Sequence, residues 1–424
     1  MNIQAGIKLT AAEAALVESY NEQVGELPGD GNTLVARDTL LSDLKTAGLP
    51  TRRVEAWHYT DLKSLLKTVP AFLRGASAQR VEPIVPGSTV LSVVNGKAHT
   101  RVLPEGITAK SYADALLDGS AADGLVARDA DDVIGRINGS FVRDGLIVEV
   151  AEGAAFEAPI EIQSVQNCGQ VNTRFPVRFG AGAKATVIER HLAIGEDAAL
   201  VTSVTDMRLA DDAEVTWIIF QSEGDADTHL AQFKAELGAN AKLRLYVING
   251  GGKLVRQEIH IAVAGEGSDL TLRGINLLGG ESHTDVTFTV DHNVPHTTST
   301  EVIRNVVFDR ARGVFQGQIR VAQDAQKTDA KMSCNTLLLS DDAEFSAKPE
   351  LEIFADDVQC GHGATVIDID HTQLFYLMAR GVPENKARAM LVNAFVAEIV
   401  EELDDETLVE ALEGVISDWL EKYA

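Results

Sequence analysis

Cysteine, aromatic residues and positive charge are all scarce in this chain. Of 424 residues three are cysteines, Cys168, Cys334 and Cys360, far apart and without CxxC spacing. That excludes a disulfide-stapled scaffold and points to reduced thiols, as in a cytoplasm. Aromatics make up 5%, too few for the stacking platforms that hold bases. Lys and Arg number 37 against 63 Asp and Glu, a formal charge of −26. A free-standing nucleic-acid binder needs a basic footprint, and anionic lipid repels such a chain. There is no run of 18 apolar residues, so no membrane span is expected. Met1-Asn2-Ile3-Gln4 carries neither a basic nor an apolar stretch, so no signal peptide is expected, and the sequon Asn138-Gly139-Ser140 is expected to be idle. No GxxxxGK[ST] occurs. Gly250-Gly251-Gly252-Lys253 runs into Leu254 rather than a magnesium-binding hydroxyl, so the glycines read as a turn and no nucleotide site is expected.

What is present is ordinary globular material, 45% apolar and 24% charged. Residues 1–84 read as a helical domain. Thr10-Ala11-Ala12-Glu13 is a capping box, followed by Leu16, Val17, Tyr20 and Val24 on one face. A second helix carries Leu34, Leu40, Leu41 and Leu44 and stops at Gly48. Residues 85–144 read as a β-rich connecting segment. Residues 145–367 read as a β core, with short alternating strands such as Lys184–Ile188 and Lys242–Val247. Its turns look alike, ending at Ala183, Ala213, Ala241 and Gly267, with Ala154 one period earlier and Ala343 in a similar turn later. A loose period of about 28 residues predicts a solenoid whose coils bury one another, and a β-sandwich with regular hairpins fits the same spacing.

Residues 368–424 return to helix. His371 to Arg380 is followed by Gly381 and Pro383. Ala387, Met390, Leu391, Ala394, Phe395 and Ile399 then mark one face, and Leu408, Leu412, Val415, Ile416 and Trp419 another. From Glu398 to Glu421 there are ten acidic residues and no basic ones. That run reads as a solvated face or as a docking surface for a basic partner, with Phe395 or Trp419 as anchor.

Two segments place metal-ligating residues close together. Asp291-His292-Asn293-Val294-Pro295-His296 has zinc-like spacing only on a helix, which Pro295 forbids, so a hydrogen-bonded turn is expected. In Cys360-Gly361-His362-Gly363, residues two apart share one face of a strand, which brings a thiol and an imidazole together. Two ligands do not close a site, so the remainder would come from a partner. Asp356-Asp357 would suit a carbohydrate-active β-helix enzyme, but adjacent strand residues face opposite ways.

Several ordered motifs then carry a resemblance. His292-Asn293-Val294-Pro295-His296-Thr297-Thr298-Ser299 is followed by Ala311-Arg312-Gly313-Val314-Phe315-Gln316-Gly317 and Ala325-Gln326-Lys327-Thr328-Asp329-Ala330. After them come Leu337-Leu338-Leu339-Ser340-Asp341, Lys348-Pro349-Glu350-Leu351-Glu352-Ile353 and Cys360-Gly361-His362-Gly363-Ala364-Thr365-Val366. Over this stretch the chain resembles the SufB/SufD family of iron–sulfur cluster assembly scaffolds. Arg53-Val54-Glu55-Ala56-Trp57-His58-Tyr59-Thr60-Asp61-Leu62 is similar to a segment of the SufD branch, with His58 at a usually basic position and Val54 in place of the usual histidine.

The resemblance implies a right-handed parallel β-helix between helical domains, and a non-catalytic scaffold rather than an enzyme. It implies an assembly with a SufB-like β-helix protein and a SufC-like ABC ATPase, the latter docked on the C-terminal helices, or a homodimer when alone. A transient iron–sulfur cluster would form at the shared interface, with no nucleotide held by this chain. The family's Cys-Ser-His-Gly segment maps onto Cys360-Gly361-His362-Gly363, making His362 the expected cluster contact and Cys360 its companion. The competing readings are a SufB-like subunit, a structural β-helix without metal, and a carbohydrate-active β-helix enzyme.

Overall fold

The computed structural model describes residues 9–74, 78–99 and 103–423. Met1–Gln4, the basis of the signal-peptide reading, lies outside them. From Asp144–Val150 onward, strands alternate in chain order between a nine-stranded and a ten-stranded sheet. Almost every pairing is parallel. Gly169 pairs with Ala199, Thr228 with Leu254 and Arg312 with Glu344, so coil length varies along the stack and is shortest in the middle. Each coil gives one strand to each sheet, which is a parallel β-solenoid and not a sandwich of hairpins.

Three of the repeated turns stack as the spacing predicts. Ala183, Ala213 and Ala241 are fully buried, and the residues after them, Lys184, Glu214 and Lys242, pair in register. Ala154 belongs to the same stack, its carbonyl accepting from Lys184 N. The fourth turn is longer by one, because Asp269, not Ser268, pairs with Lys242. Leu339–Ala343 belongs to the opposite turn stack: Glu344, which follows it, enters the nine-stranded sheet. The close stacking leaves Gly265 no room for a side chain, since a Cβ there would lie 2.0 Å from the Gly238 carbonyl carbon.

Alternation sorts each strand into a lumen face and an outer face. Most of the lumen is apolar, filled by residues such as Phe175, Trp217, Phe233, Phe288 and Phe315, with buried polar side chains interrupting it in places. Each such side chain stabilises the fold by roughly 1.5–3 kcal/mol relative to exposure. Helices cover both outer faces. Ala11–Gln23, Gly31–Ala47 and Val133–Phe141 pack on the nine-stranded sheet through Leu200, Leu230 and Leu254. The capping box is present, with Glu13 N donating to Thr10 Oγ1 at 3.2 Å and Thr10 N to Glu13 Oε2 at 2.6 Å. Leu40, Leu41 and Leu44 are buried as read, whereas Leu34 faces solvent. Segment 85–144 holds strands Thr89–Val94, Lys97–His99 and Ile107–Ser111 and also helices Tyr112–Leu117 and Val133–Phe141. Asn138 of the sequon is fully buried, donating to Thr173 O and Thr202 Oγ1.

His371–Ala379, Glu384–Val400 and Glu406–Tyr423 pack on the ten-stranded sheet through Ile218, Tyr246, Ile275 and Val306. Gly381, at φ +89°, makes the break between the first two. The buried face of the second helix is Ala387, Val392, Val396 and Ile399. That stripe is rotated from the one the sequence marked, leaving Met390 and Ala394 outside.

The two ends of the solenoid differ. At the start, the short antiparallel strands Lys97–His99 and Ile107–Ser111 pair with Thr89–Val94 and Asp144–Val150 and end the two sheets on edges of three and five residues. At the other end Gln359–Ile367 and Glu344–Ile353 are the terminal strands, each paired on one side among the described residues.

Candidate functional site

The open end carries the Cys360 and His362 pair. Cys360 pairs with Ala330 and His362 with Met332, both of which are lumen residues, so the pair faces the lumen on the last strand. Cys360 is half-buried against Val358 and the apolar core, while His362 is exposed because no coil follows. A Cβ at Gly361 or Gly363 would meet nothing, so the space beside both residues is open. Partial burial, with Asp329 and Glu301 nearby, raises the Cys360 thiol above its usual range. Cys334, one coil deeper, is pushed up to about 12 by burial and is an inert thiol.

Behind this pair the lumen turns polar. Glu301 lies one coil deeper than Met332, in register with it and fully buried. His292 is buried beside it, with Nδ1 at 2.8 Å from Thr297 Oγ1 and Nε2 at 3.0 Å from Ser299 Oγ. His296 sits in the following turn at φ +57°, exposed. The two histidines of that segment therefore lie on opposite sides of the wall, as the turn reading expects.

Burial pushes the Glu301 carboxyl up to about 8 from an ordinary 4.5. Between those values the unfolded chain has released a proton that the folded chain keeps. Stability is therefore full below 4.5 and falls as pH rises toward 8, by about 3 kcal/mol at pH 7. Glu301→Gln should flatten that slope, melting above the parent at pH 7–8 and close to it at pH 5. Parallel melting curves across pH 5–8 would remove this account.

The residues expected to anchor a partner are half-buried against the chain's own sheet. Phe395 is partly buried on the chain's own sheet, with the Arg304 guanidinium 4.6 Å from its ring centre. Trp419 is partly buried too, its ring 6.1 Å from Phe308. Three of the acidic residues, though exposed, pair with the chain's own sheet. Glu398, Glu402 and Asp404 lie 2.6 Å from Arg304, Arg273 and Arg244 of the sheet, respectively. The sequence hid this because those arginines lie several coils before the helices begin. The exposed apolar residues of the C-terminal region are instead Phe375, at 71% exposure, with Tyr376, Met378 and Met390.

One cluster escaped the sequence reading. His191, Glu223 and His229 come together in the lumen, all buried, on coils far from the open end. Nothing local signals it, because the three residues are spread over two sheets and one turn. Gly250–Gly252 make the turn expected of them; a Cβ on Gly251 would lie 2.3 Å from Glu223 O.

Among the described residues no helix is long and apolar enough to cross a membrane. Residues 162–395 match the family model described as SUF system FeS cluster assembly, SufBD core domain. The chain is 30% identical over 377 residues to the iron–sulfur cluster assembly protein SufD of Escherichia coli, covering 87% of this chain and 88% of that one. A SufBD family iron–sulfur cluster assembly protein of Synechocystis is 28% identical, covering 84% of each chain. The chloroplastic protein ABCI7 of Arabidopsis thaliana is 25% identical over 91% of this chain and 86% of its own. A β-solenoid core with this motif order, matched across more than half its length, makes this chain a member of the SufBD family of iron–sulfur cluster assembly proteins.

Proposed function

We propose that the chain is a SufD-like, non-catalytic scaffold subunit of a cytoplasmic SUF assembly machine. The observation that supports this most is the uncapped end of the solenoid. The free backbone edge of Gln359–Ile367 is a template for another strand. The thiol and imidazole of Cys360 and His362 open onto the same space. A SufB-like β-helix seated there continues the solenoid and supplies the remaining ligands for a nascent cluster, which is cargo at the join. His362 is the contact from this side, and Cys360 its weaker companion because its thiol is held protonated more firmly. When the partner is absent, the same edge pairs with a second copy of this chain. A SufC-like ABC ATPase docks on the C-terminal helices, and the exposed Phe375 and Tyr376 are better placed as anchors than Phe395 and Trp419.

Co-expression with a SufB-like and a SufC-like protein tests this. The expected result is a stable three-protein complex in which His362→Ala leaves assembly and melting temperature unchanged but lowers cluster yield, read by visible absorbance, several-fold. Cys360→Ala should lower it less. Full yield in the His362→Ala complex would remove the cluster role, and a chain that captures neither protein would remove the scaffold reading.

A further inference from the structure

The polar cluster deep in the lumen has the makings of a second metal site, separate from the open end. His191 lies on Lys184–Ala193, His229 on Thr228–Leu237, and Glu223 in the turn just past Glu214–Ser222. One potential ligand atom of each lies within 4.8 Å of the others. The two imidazole rings are 4.7 Å apart, and His229 Nδ1 is 3.5 Å from Glu223 Oε2.

Each imidazole is oriented from behind. His191 Nε2 is 2.9 Å from Glu189 Oε1, and His229 Nε2 is 2.8 Å from Ser203 Oγ. Glu189 is itself fixed by Thr205 Oγ1 and Trp217 Nε1, both at 2.9 Å. An imidazole held by one nitrogen to a carboxylate or hydroxyl presents its other lone pair to a cation, which is the second shell of a metal-ligating histidine. The other nitrogen, Nδ1 in both rings, makes no hydrogen bond among the described residues, and the Glu223 carboxyl has only the side-chain amides of Gln221 and Gln166 close to it, neither in good hydrogen-bond geometry. Gln221, in register with His191, leaves Oε1 unbonded as well. So many unsatisfied polar atoms converging in one buried place are costly unless something joins them.

Nearby carboxylates sharpen the point. Asp227 accepts from Ala199 N, Gly224 N and Gln166 Nε2. The groups that meet Glu189 and Asp227 are thus an imidazole, an indole, a hydroxyl, backbone amides and a side-chain amide. A divalent cation supplies the positive charge that such a buried group of carboxyls calls for. Glu223 also lines a cavity of about 370 Å³ under the last helix, with Leu277, Val415 and Trp419 in its walls.

We infer that His191, His229 and Glu223 bind one divalent first-row transition cation inside the solenoid, with two imidazole nitrogens and one carboxylate oxygen as ligands. That donor set suits zinc or ferrous iron.

The test uses the full chain, purified natively from cells grown with added Zn²⁺ or Co²⁺ and desalted against a chelator. Elemental analysis should find about one metal per chain, and the Co²⁺ form should show visible ligand-field bands. Glu223→Gln and His229→Gln should each weaken retention by about tenfold or more. Ser203→Ala, which only frees His229 Nε2, is the gentler variant, and it should lower retention with the melt unchanged. A Cys360→Ala/His362→Ala chain should keep its full metal content. A parent chain without metal overturns the inference whatever the variants do. So does equal metal in the folded His229→Gln or Ser203→Ala chains, or loss of metal in the Cys360→Ala/His362→Ala chain.

Discussion

Arg256→Ala should lower the stability of the chain by about 3–5 kcal/mol, the usual cost of leaving a buried charge without its partner. Arg256 and Asp285 lie side by side in register on the outer face of the nine-stranded sheet, both fully buried and ion-paired. Arg256 also donates to Glu258 Oε1 at 3.1 Å and to the Ala56 carbonyl at 2.7 Å. Its guanidinium lies 4.2 Å from the Trp57 ring centre, and Thr60 donates its hydroxyl to Asp285. The segment around Trp57 is therefore a strap that holds the N-terminal region to a distant part of the chain, the middle of the solenoid. Arg256→Lys should recover only part of the loss, because a point-charge ammonium cannot reproduce the planar fork. Urea denaturation followed by far-UV circular dichroism gives the value, and a loss below about 1 kcal/mol would show that the strap is incidental.

Trp217→Ala should cost a similar amount, about 3–5 kcal/mol, through the cavity it leaves. Trp217 is fully buried in the lumen, with ring contacts to Phe179 at 6.5 Å and Phe233 at 5.9 Å. Its indole N–H donates to Glu189 Oε2 at 2.9 Å. Trp217→Phe separates the two contributions: it keeps most of the apolar volume and loses the hydrogen bond, worth about 1–3 kcal/mol when an acceptor is left buried. Equal losses in the two variants would mean that the hydrogen bond, and not the packing, dominates.

These two sites show where sequence reading reaches and where it stops. The turn alanines were legible because each coil repeats the same local requirement, a small residue that lets successive turns stack. Ala343 misled because a solenoid of two sheets has two stacks of turns, and both demand small residues. The segment Arg53–Leu62 was legible as a motif, but its partners Arg256 and Asp285 were not. Nothing local on a strand announces that a charge is to be covered by a segment from the far end of the chain. Cys360 and His362 were legible as a pair because strand geometry fixes which side they share. That they face an open lumen depends on the chain leaving the solenoid after Ile367, which the return to helix only hinted at. Phe395 and Trp419 lie partly buried on the chain's own sheet, and sequence does not tell that cover from a partner's, because a helix face is apolar for the same reason in both cases. His191, Glu223 and His229 needed the register of four strands before they could be seen together.

The unequal ends of the solenoid also bear on how the chain breathes. Contacts in such a molecule run between neighbouring coils, so an interior coil is held from two sides and the last from one. Amides on Glu344–Ile353 and Gln359–Ile367 should therefore exchange with solvent through partial openings far cheaper than global unfolding. Whatever seats on that edge becomes the missing neighbour and turns an end into an interior. Filling the edge therefore raises the local order around Cys360 and His362, and that ordering is coupled to whatever binds there.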